Sequence, residues 1–519
     1  MANEVTFAQL HQKYCDLKDY SKKQGVSQQL KSYWDISLIR LNCDSIINDI
    51  ETKMKTAESE SDVWHRLLAM KGVILNFQVD FLLLFENFGL AMDILIENFK
   101  NIHPYSKSNY VSFVSLQTIH KIASICKMND DLCSAQEILE TAVDIYESSI
   151  DEGYCENEEL FSPDETVWPR FNLACQFDNT YIFILEMLKI IHDSKKNYVG
   201  SVVLQHHILK IQLKRGDESL FIWLQNLLRL SNKLTHLQFY RCARHHLSVA
   251  SYKLESLKKS FGGKQVENGK HVANLFDGLE ANLALVWIKY ALSMFVSSEK
   301  KYLEIYYIKK TQKSHSEGKG DESQRTDMTL GKTDEKIEAL KFQLDVSSIE
   351  NLVTCEIIRT TNQAKDLFEF VIEWFNRAKE YYEFNEFPSE HISLMMDFSE
   401  LHKSLAFFEP KSPERYILFQ KRQSILNIIK NLSAQLDPIA FVDTNVEIMK
   451  ELAQVHLDLL HSDLEMLKEI KTFAMDQLKN NPTKSQQLEK HIDSSIDLFE
   501  NQLNVLETYD AESKPTFQF

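Results

Sequence analysis

The sequence predicts an all-α chain built from tandem helical hairpins, and three observations predict it. First, only 13 Gly and 9 Pro occur in 519 residues, where ordinary usage would supply roughly 35 and 25. β-Sandwiches, barrels and glycine-loop nucleotide folds need more of both. Second, apolar residues recur at the helical period. Leu139, Ala142, Val143 and Tyr146 stand at i, i+3, i+4 and i+7, with Glu140, Asp144 and Glu147 on the other face. Val371, Trp374, Phe375 and Ala378 repeat the pattern, and no alternating run is long enough to demand a strand. Third, small residues recur at shared spacings. In 116–148, Ala123 is followed by Ala135, Leu139 and Ala142. In 224–256, Ser231 is followed by Ala243, Leu247 and Ala250. Both sets step by 12, 4 and 3. Small side chains are needed where two helices cross closely, because a larger group would push them apart.

A tetratricopeptide-like unit has this form, two antiparallel helices of about 34 residues. The two segments begin 108 residues apart, which reads as three such units plus an acidic loop. A third segment, 182–214, fits more loosely through Ser201, Gln205 and Ile208. Stacked hairpins bury their core between neighbours and leave long exposed faces that suit protein partners.

Three interruptions divide the chain. Residues 152–169 form an acidic loop with two prolines, in which Phe161 and Trp168 are candidate apolar anchors. Residues 261–269 read as a short turn. Residues 311–336 carry almost no bulky apolar side chain and are expected to be disordered, since they bury too little to offset chain entropy. The expected organisation is a helical half over 1–262, a long linker helix over 263–310, the disordered insertion 311–336 and a second helical half over 337–519.

Lys and Arg number 58 against 75 Asp and Glu, a net charge of −17. This disfavours sequence-independent nucleic-acid binding, which needs cations to displace phosphate counterions, and an anionic membrane surface. The most apolar stretch, around Phe81–Phe85, is interrupted by Glu86, Asn87 and Asp93, so no membrane insertion is expected. Eight scattered cysteines without C-x-x-C read as reduced intracellular thiols. The N-terminus lacks a secretory pattern, and a cytoplasmic location is expected.

Chemistry finds little support. The phosphate-loop and dinucleotide glycine motifs are absent, as are H-E-x-x-H and G-x-S-x-G. His206–His207 and His245–His246 are adjacent pairs whose side chains point about 100° apart on a helix, which is poor geometry for chelation. No catalytic residue, cofactor, metal ligand or small-molecule substrate is expected.

The stretch 377–426 carries a resemblance. It runs through Ala378, Lys379, Glu380, Tyr381, Tyr382, Glu390, His391, Ile392, Asp397, Ser399, Leu401, Lys403, Leu405, Ala406, Phe407, Phe408 and Glu409, then Arg415, Lys421 and Arg422. This resembles the KIF-binding protein (kinesin-binding protein) family. Trp287-Ile288-Lys289-Tyr290 and Ala243-Arg244-His245 agree more thinly. The resemblance implies a right-handed α-solenoid of tetratricopeptide-like hairpins and a non-enzymatic, cytoskeleton-associated protein. Such a protein binds kinesin motor domains in a concave groove and keeps them off microtubules, in mitochondrial, axonal and other kinesin-driven transport. By register it places contact residues at Arg229 and Asn232 in one loop and in the Glu390–Asp397 region in another, with His391 and Ser399 as further candidates that could instead pack or cap helices. Where the family carries a polar pair, this chain has Met187 and Ile190. A generic scaffold gripping peptide tails is the alternative, but no basic carboxylate clamp can be picked out of the sequence.

Overall fold

A computed structural model describes residues 5–26, 33–164, 175–216, 220–261, 269–315, 335–437 and 439–473, with positions 486, 490, 493, 494 and 497 alone beyond them. Among the described residues there are eighteen α-helices and no β-strand. The chain divides into two compact units, Met1–Arg215 and Gly216–Phe519.

The first unit holds α1 (Phe7–Val26), α2 (Tyr33–Met54), α3 (Asp62–Leu84), α4 (Phe88–Ile102), α5 (Ser112–Met128), α6 (Leu132–Glu152), the single turn α7 (Asn157–Leu160), α8 (Cys175–Ser194) and α9 (Tyr198–Arg215). Helices adjacent in sequence pack as pairs, α3 with α4, α5 with α6 and α8 with α9. The small-residue pattern falls where the sequence places it. Ala123, Ala135, Leu139 and Ala142 are all fully buried between α5 and α6 and their neighbours.

The hairpin turns share one construction that the low glycine count conceals. Glu86, Asp130, Lys196 and Gln238 all adopt positive φ, at 57°, 58°, 58° and 66°. The residue after each donates its backbone N–H to a carbonyl five positions back. The bonds are Asn87 to Leu82, Asp131 to Cys126, Asn197 to His192 and Phe239 to Leu234, at 2.8–3.0 Å. This closes the last turn of the first helix in the manner of a Schellman cap, with a non-glycine residue in the left-handed position. Asn87, Asp131 and Asn197 then cap the next helix, accepting from Leu90, Ser134 and Gly200.

The turns at 86 and 130 are 44 residues apart, and those at 196 and 238 are 42 apart. These units are longer than 34 residues. The 108-residue offset therefore spans two steps, through α8–α9 and the acidic loop, and not three.

The described part of that loop, as far as Asp164, is held in place. Phe161 is fully buried and stacked on Tyr14 at 3.9 Å. Arg66, 2% exposed, donates to the carbonyls of Leu160, Ser162 and Asp164 at 2.8, 2.5 and 2.7 Å. Its guanidinium lies 4.0 Å over the Phe7 ring. Burial holds its pKa down at about 10. Trp168, the other expected anchor, lies outside the described residues.

The second unit holds α10 (Leu220–His236), α11 (Tyr240–Phe261), α12 (Gly269–His315), α13 (Glu335–Glu338), α14 (Ser347–Glu350), α15 (Thr361–Tyr381), α16 (Pro388–Phe407), α17 (Ser412–Ser433) and α18 (Val442–Phe473). Here Ser231, Ala243, Leu247 and Ala250 are at most 1% exposed, again as the spacing requires. The 47-residue α12 packs against α10, α11, α15 and α16. Through these contacts α10 and α11 belong with α12 in the compact unit that begins at Gly216. α12 also runs through the first five positions of the insertion expected to be disordered, and Glu335 and Lys336 belong to α13. The remainder, 316–334, lies outside the described residues.

Two helical stretches, Asp62–Leu84 and Leu275–Tyr307, are long and apolar enough to cross a membrane by composition alone, and 67% and 61% of their apolar windows are buried in the protein. They are apolar because they are packed on several sides, which the sequence reading of isolated interruptions did not register. Of the eight cysteines, the seven whose side chains are described are free thiols. At the far end Arg422, fully buried, pairs with Asp458 at 3.0 Å and with Glu451, joining α17 to α18.

Two outcomes follow for stability. Replacing Arg66 with Met strips a donor from three carbonyls and should cost about 3 kcal/mol in denaturant titrations. Lys71→Ala, which breaks a half-exposed pair with Glu51, should cost less than about 1 kcal/mol; equal costs for the two would refute the anchoring role of Arg66. Asp130→Gly and Gln238→Gly relieve left-handed strain and should each stabilise by about 0.5–1 kcal/mol, whereas a loss of stability in both would show the turns to be unstrained.

Candidate partner-binding site

α10 buries one face and offers another. Trp223, Leu224, Leu227, Leu230, Ser231 and Leu234 face inward, each at most 2% exposed. Ile222, Asn226, Arg229, Lys233 and His236 follow at i, i+4, i+7, i+11 and i+14 along the outer face. The sequence places Arg229 and Asn232 in a loop; they lie instead on this helix, less than one turn apart. Arg229 is exposed and donates from Nη1 to Asn226 Oδ1 at 3.3 Å. Asn232 is half-buried, and its Oδ1 is shielded from solvent without a hydrogen-bond partner. Such an acceptor carries a desolvation cost. The face is basic, so any acid-to-base steering by the chain's net charge does not originate on α10.

In the first unit α8 presents a different face. Ile190 and Phe183 are 46% and 55% exposed, with Met187 half-buried between them. Phe183 was missed in the sequence, although it stands four residues before Met187 and seven before Ile190, on one stripe.

The other four candidates lie on a single helix, α16, not in a loop. Glu390 is exposed in its first turn. His391 is buried, and its Nδ1–H donates to the Tyr382 carbonyl at 2.8 Å. It ties the end of α15 to the start of α16. Asp397 lies 2.8 Å from Lys289 on α12. Burial raises its pKa against the opposing pull of that ammonium, as expected for a carboxyl used to dock α16 on α12. Ser399 is 2% exposed. Of the six candidates, Arg229, Asn232 and Glu390 reach the surface, while His391, Asp397 and Ser399 serve packing.

The rest of the 377–426 block is also mostly interior. Ala378, Ile392, Leu401, Leu405, Ala406 and Phe408 are buried. Glu409, 4% exposed, pairs with Lys365 at 3.1 Å. Phe408 contributes its carbonyl to Thr361 at 2.8 Å, and the Phe407 ring meets Tyr302 edge-on.

The Ala243-Arg244-His245 triplet has a structural role visible only in three dimensions. The irregular strap 339–357 crosses α11 and α12 and is fastened at four points. The Phe342 N–H donates to His245 Nε2 at 3.0 Å, so the proton sits on Nδ1, which donates to Glu350 at 2.7 Å. Arg244 Nη1 donates to the Val353 carbonyl at 3.0 Å, and Tyr290 Oη to that of Thr354 at 2.8 Å. Phe342 fills a slot against Trp223 and His246.

A family model described as "KIF-1 binding protein C terminal" matches residues 222–518, nearly the whole second unit. A KIF-binding protein of Drosophila melanogaster is 26% identical over 260 residues, covering 49% of this chain and 40% of that protein. One from Xenopus tropicalis is 22% identical, covering 76% of this chain and 66% of that protein. One from Homo sapiens is 21% identical, covering 72% and 61%. The chain thus spans from two fifths to two thirds of the length of these curated relatives. A solved structure titled "Kinesin binding protein (KBP)" shares the fold at TM-score 0.55 and 16% identity, over 98% of this chain and 84% of that one. With a family model matched over more than half of its length, the chain belongs to the KIF-1 binding protein C-terminal family.

Proposed function

We propose that this protein is a non-enzymatic regulator that binds kinesin motor domains and keeps them from attaching to microtubules. The observation that carries the reading is the family match across the second unit, together with relatives named for binding kinesin-family proteins. Hairpin repeats with exposed polar helix faces support it, because such faces bind proteins with little ordering cost.

A motor's track-facing surface must complement acidic tubulin and is therefore expected to be basic. A chain of net charge −17 is drawn to such a surface over long range, and salt screens that attraction. At short range the basic face of α10 engages acidic or carbonyl groups, with Arg229 as a forked donor. Glu390, exposed on α16, supplies the opposite sign. Met187 and Ile190 stand where the family carries a polar pair, with exposed Phe183 on the same stripe, and this favours a motor whose matching contact is apolar. Occupation of the track-facing surface makes motor and filament compete, which places the protein in the cytoplasm beside the cytoskeleton and in control of kinesin-driven transport, mitochondrial and axonal cargo included.

In microtubule co-sedimentation, a kinesin motor domain should leave the pellet as this protein is added, and less so as salt rises. Motor that stays in the pellet at saturating protein refutes the blocking mechanism. The double variant Arg229→Ala/Asn232→Ala should weaken motor binding by about 10-fold, roughly 1.4 kcal/mol, with an unchanged circular dichroism spectrum. His391→Ala should act through stability instead, lowering the melting temperature. Unaltered affinity in the double variant would remove α10 from the interface.

A further inference from the structure

Between α11 and the strap lies a polar cavity of about 390 Å³. Its wall draws cations from parts of the chain about a hundred residues apart. Arg241 and Arg244 stand one turn apart near the start of α11, and Lys341 comes from the strap. Glu350 and Glu356 also line it. One acceptor of Glu350 is already taken by His245, and Glu356 is exposed at the rim.

Among the described residues, Arg244 and Lys341 have no carboxylate within ion-pair distance. Arg244 uses Nη1 on a neutral carbonyl, and its Nε is buried without a hydrogen-bond partner. The half-buried Arg244 guanidinium therefore has no counter-charge from this chain, and an anion in the cavity would supply one.

We propose that this cavity binds a phosphate group. The site gathers two guanidinium groups and an ammonium, three cations against the two carboxylates of Glu350 and Glu356. That combination matches a tetrahedral oxyanion better than a planar carboxylate, which one fork alone would satisfy. The one aromatic ring in the lining, the His245 imidazole, is held at both nitrogens by Phe342 and Glu350, so the recognised part is the phosphate itself. The chain's overall negative charge does not forbid this, because charges farther away than about 8 Å are largely screened at physiological salt. A bound phosphate would bridge α11 to the strap and add a fifth fastening beside His245, Arg244 and Tyr290. The inference is independent of the kinesin reading.

The shared chemistry could be presented by a free phosphate compound or by a phosphorylated side chain of a protein. Isothermal titration of the full chain tests it with inorganic phosphate, a phosphoserine peptide and succinate, all at matched ionic strength. Phosphate should saturate, raise the melting temperature and bind about 10-fold more weakly to Arg241→Gln and to Lys341→Gln, and the melting of Lys341→Gln without phosphate should be unchanged. Arg244 is left intact in these variants because it also holds the strap. Tighter binding of the peptide than of inorganic phosphate would assign the site to a protein-borne phosphate, and the reverse to a free one. No saturation by about 10 mM of either, equal saturation by succinate, or wild-type titration of both variants would each overturn the proposal.

Discussion

Burial of the middle of α12 is the constraint on which the second unit depends. From Leu279 to Phe295 the helix turns apolar side chains to several sides, and Trp287, Ile288, Tyr290, Met294 and Phe295 are fully enclosed. Four helices and the strap must come to it, because no single neighbour covers a helix that is apolar around most of its circumference. Trp287 donates to Ser251 on α11 at 3.1 Å and stacks near Trp374 on α15. Tyr290 is sealed so completely that its hydroxyl must find the Thr354 carbonyl, and burial raises its pKa well above the ordinary phenol value. The strap, α10–α11 and α15–α16 are thus arranged by one helix, and the candidate contacts on α10 and α16 are displayed by packing on it.

This arrangement explains why the most recognisable stretch of sequence is not the most exposed. Ala378, His391, Ile392, Ser399, Leu405, Ala406, Glu409 and Arg422 are interior. Each is constrained by a shape or by a buried bond, as with His391 on the Tyr382 carbonyl or Arg422 between Asp458 and Glu451. Interior constraints keep a pattern legible at low identity. Surface positions such as Arg229 and Glu390 face solvent and are free to change, so the family pattern carries little information about them. The same reasoning separates the six candidate residues into three that support the scaffold and three that reach the surface.

The hairpin turns show where reading from composition falls short. Few glycines suggest few tight turns. The turns are nonetheless tight, and they are made with Glu86, Asp130, Lys196 and Gln238 in the left-handed region. An Asx residue directly after a charged one, at 86–87, 130–131 and 196–197, was the available signal. It went unread because such dipeptides are common in helices as well. The repeat length was mistaken for the same reason, since the small-residue spacing reports how two helices cross and not how long they are.

Fold class, the pairing of α5 with α6 and of α10 with α11, and the family were all determined by sequence alone. Helical period, small-residue spacing and the 377–426 pattern are local properties, written within a few turns of chain. Tertiary structure alone decided that Arg229 and Asn232 share a helix with Lys233 rather than a loop, that Asp397 pairs with Lys289, and that Lys341 joins Arg241 and Arg244 around one cavity. Those relations link residues up to 108 positions apart. No periodicity spans such distances, so they emerge only when buried surfaces have chosen their neighbours.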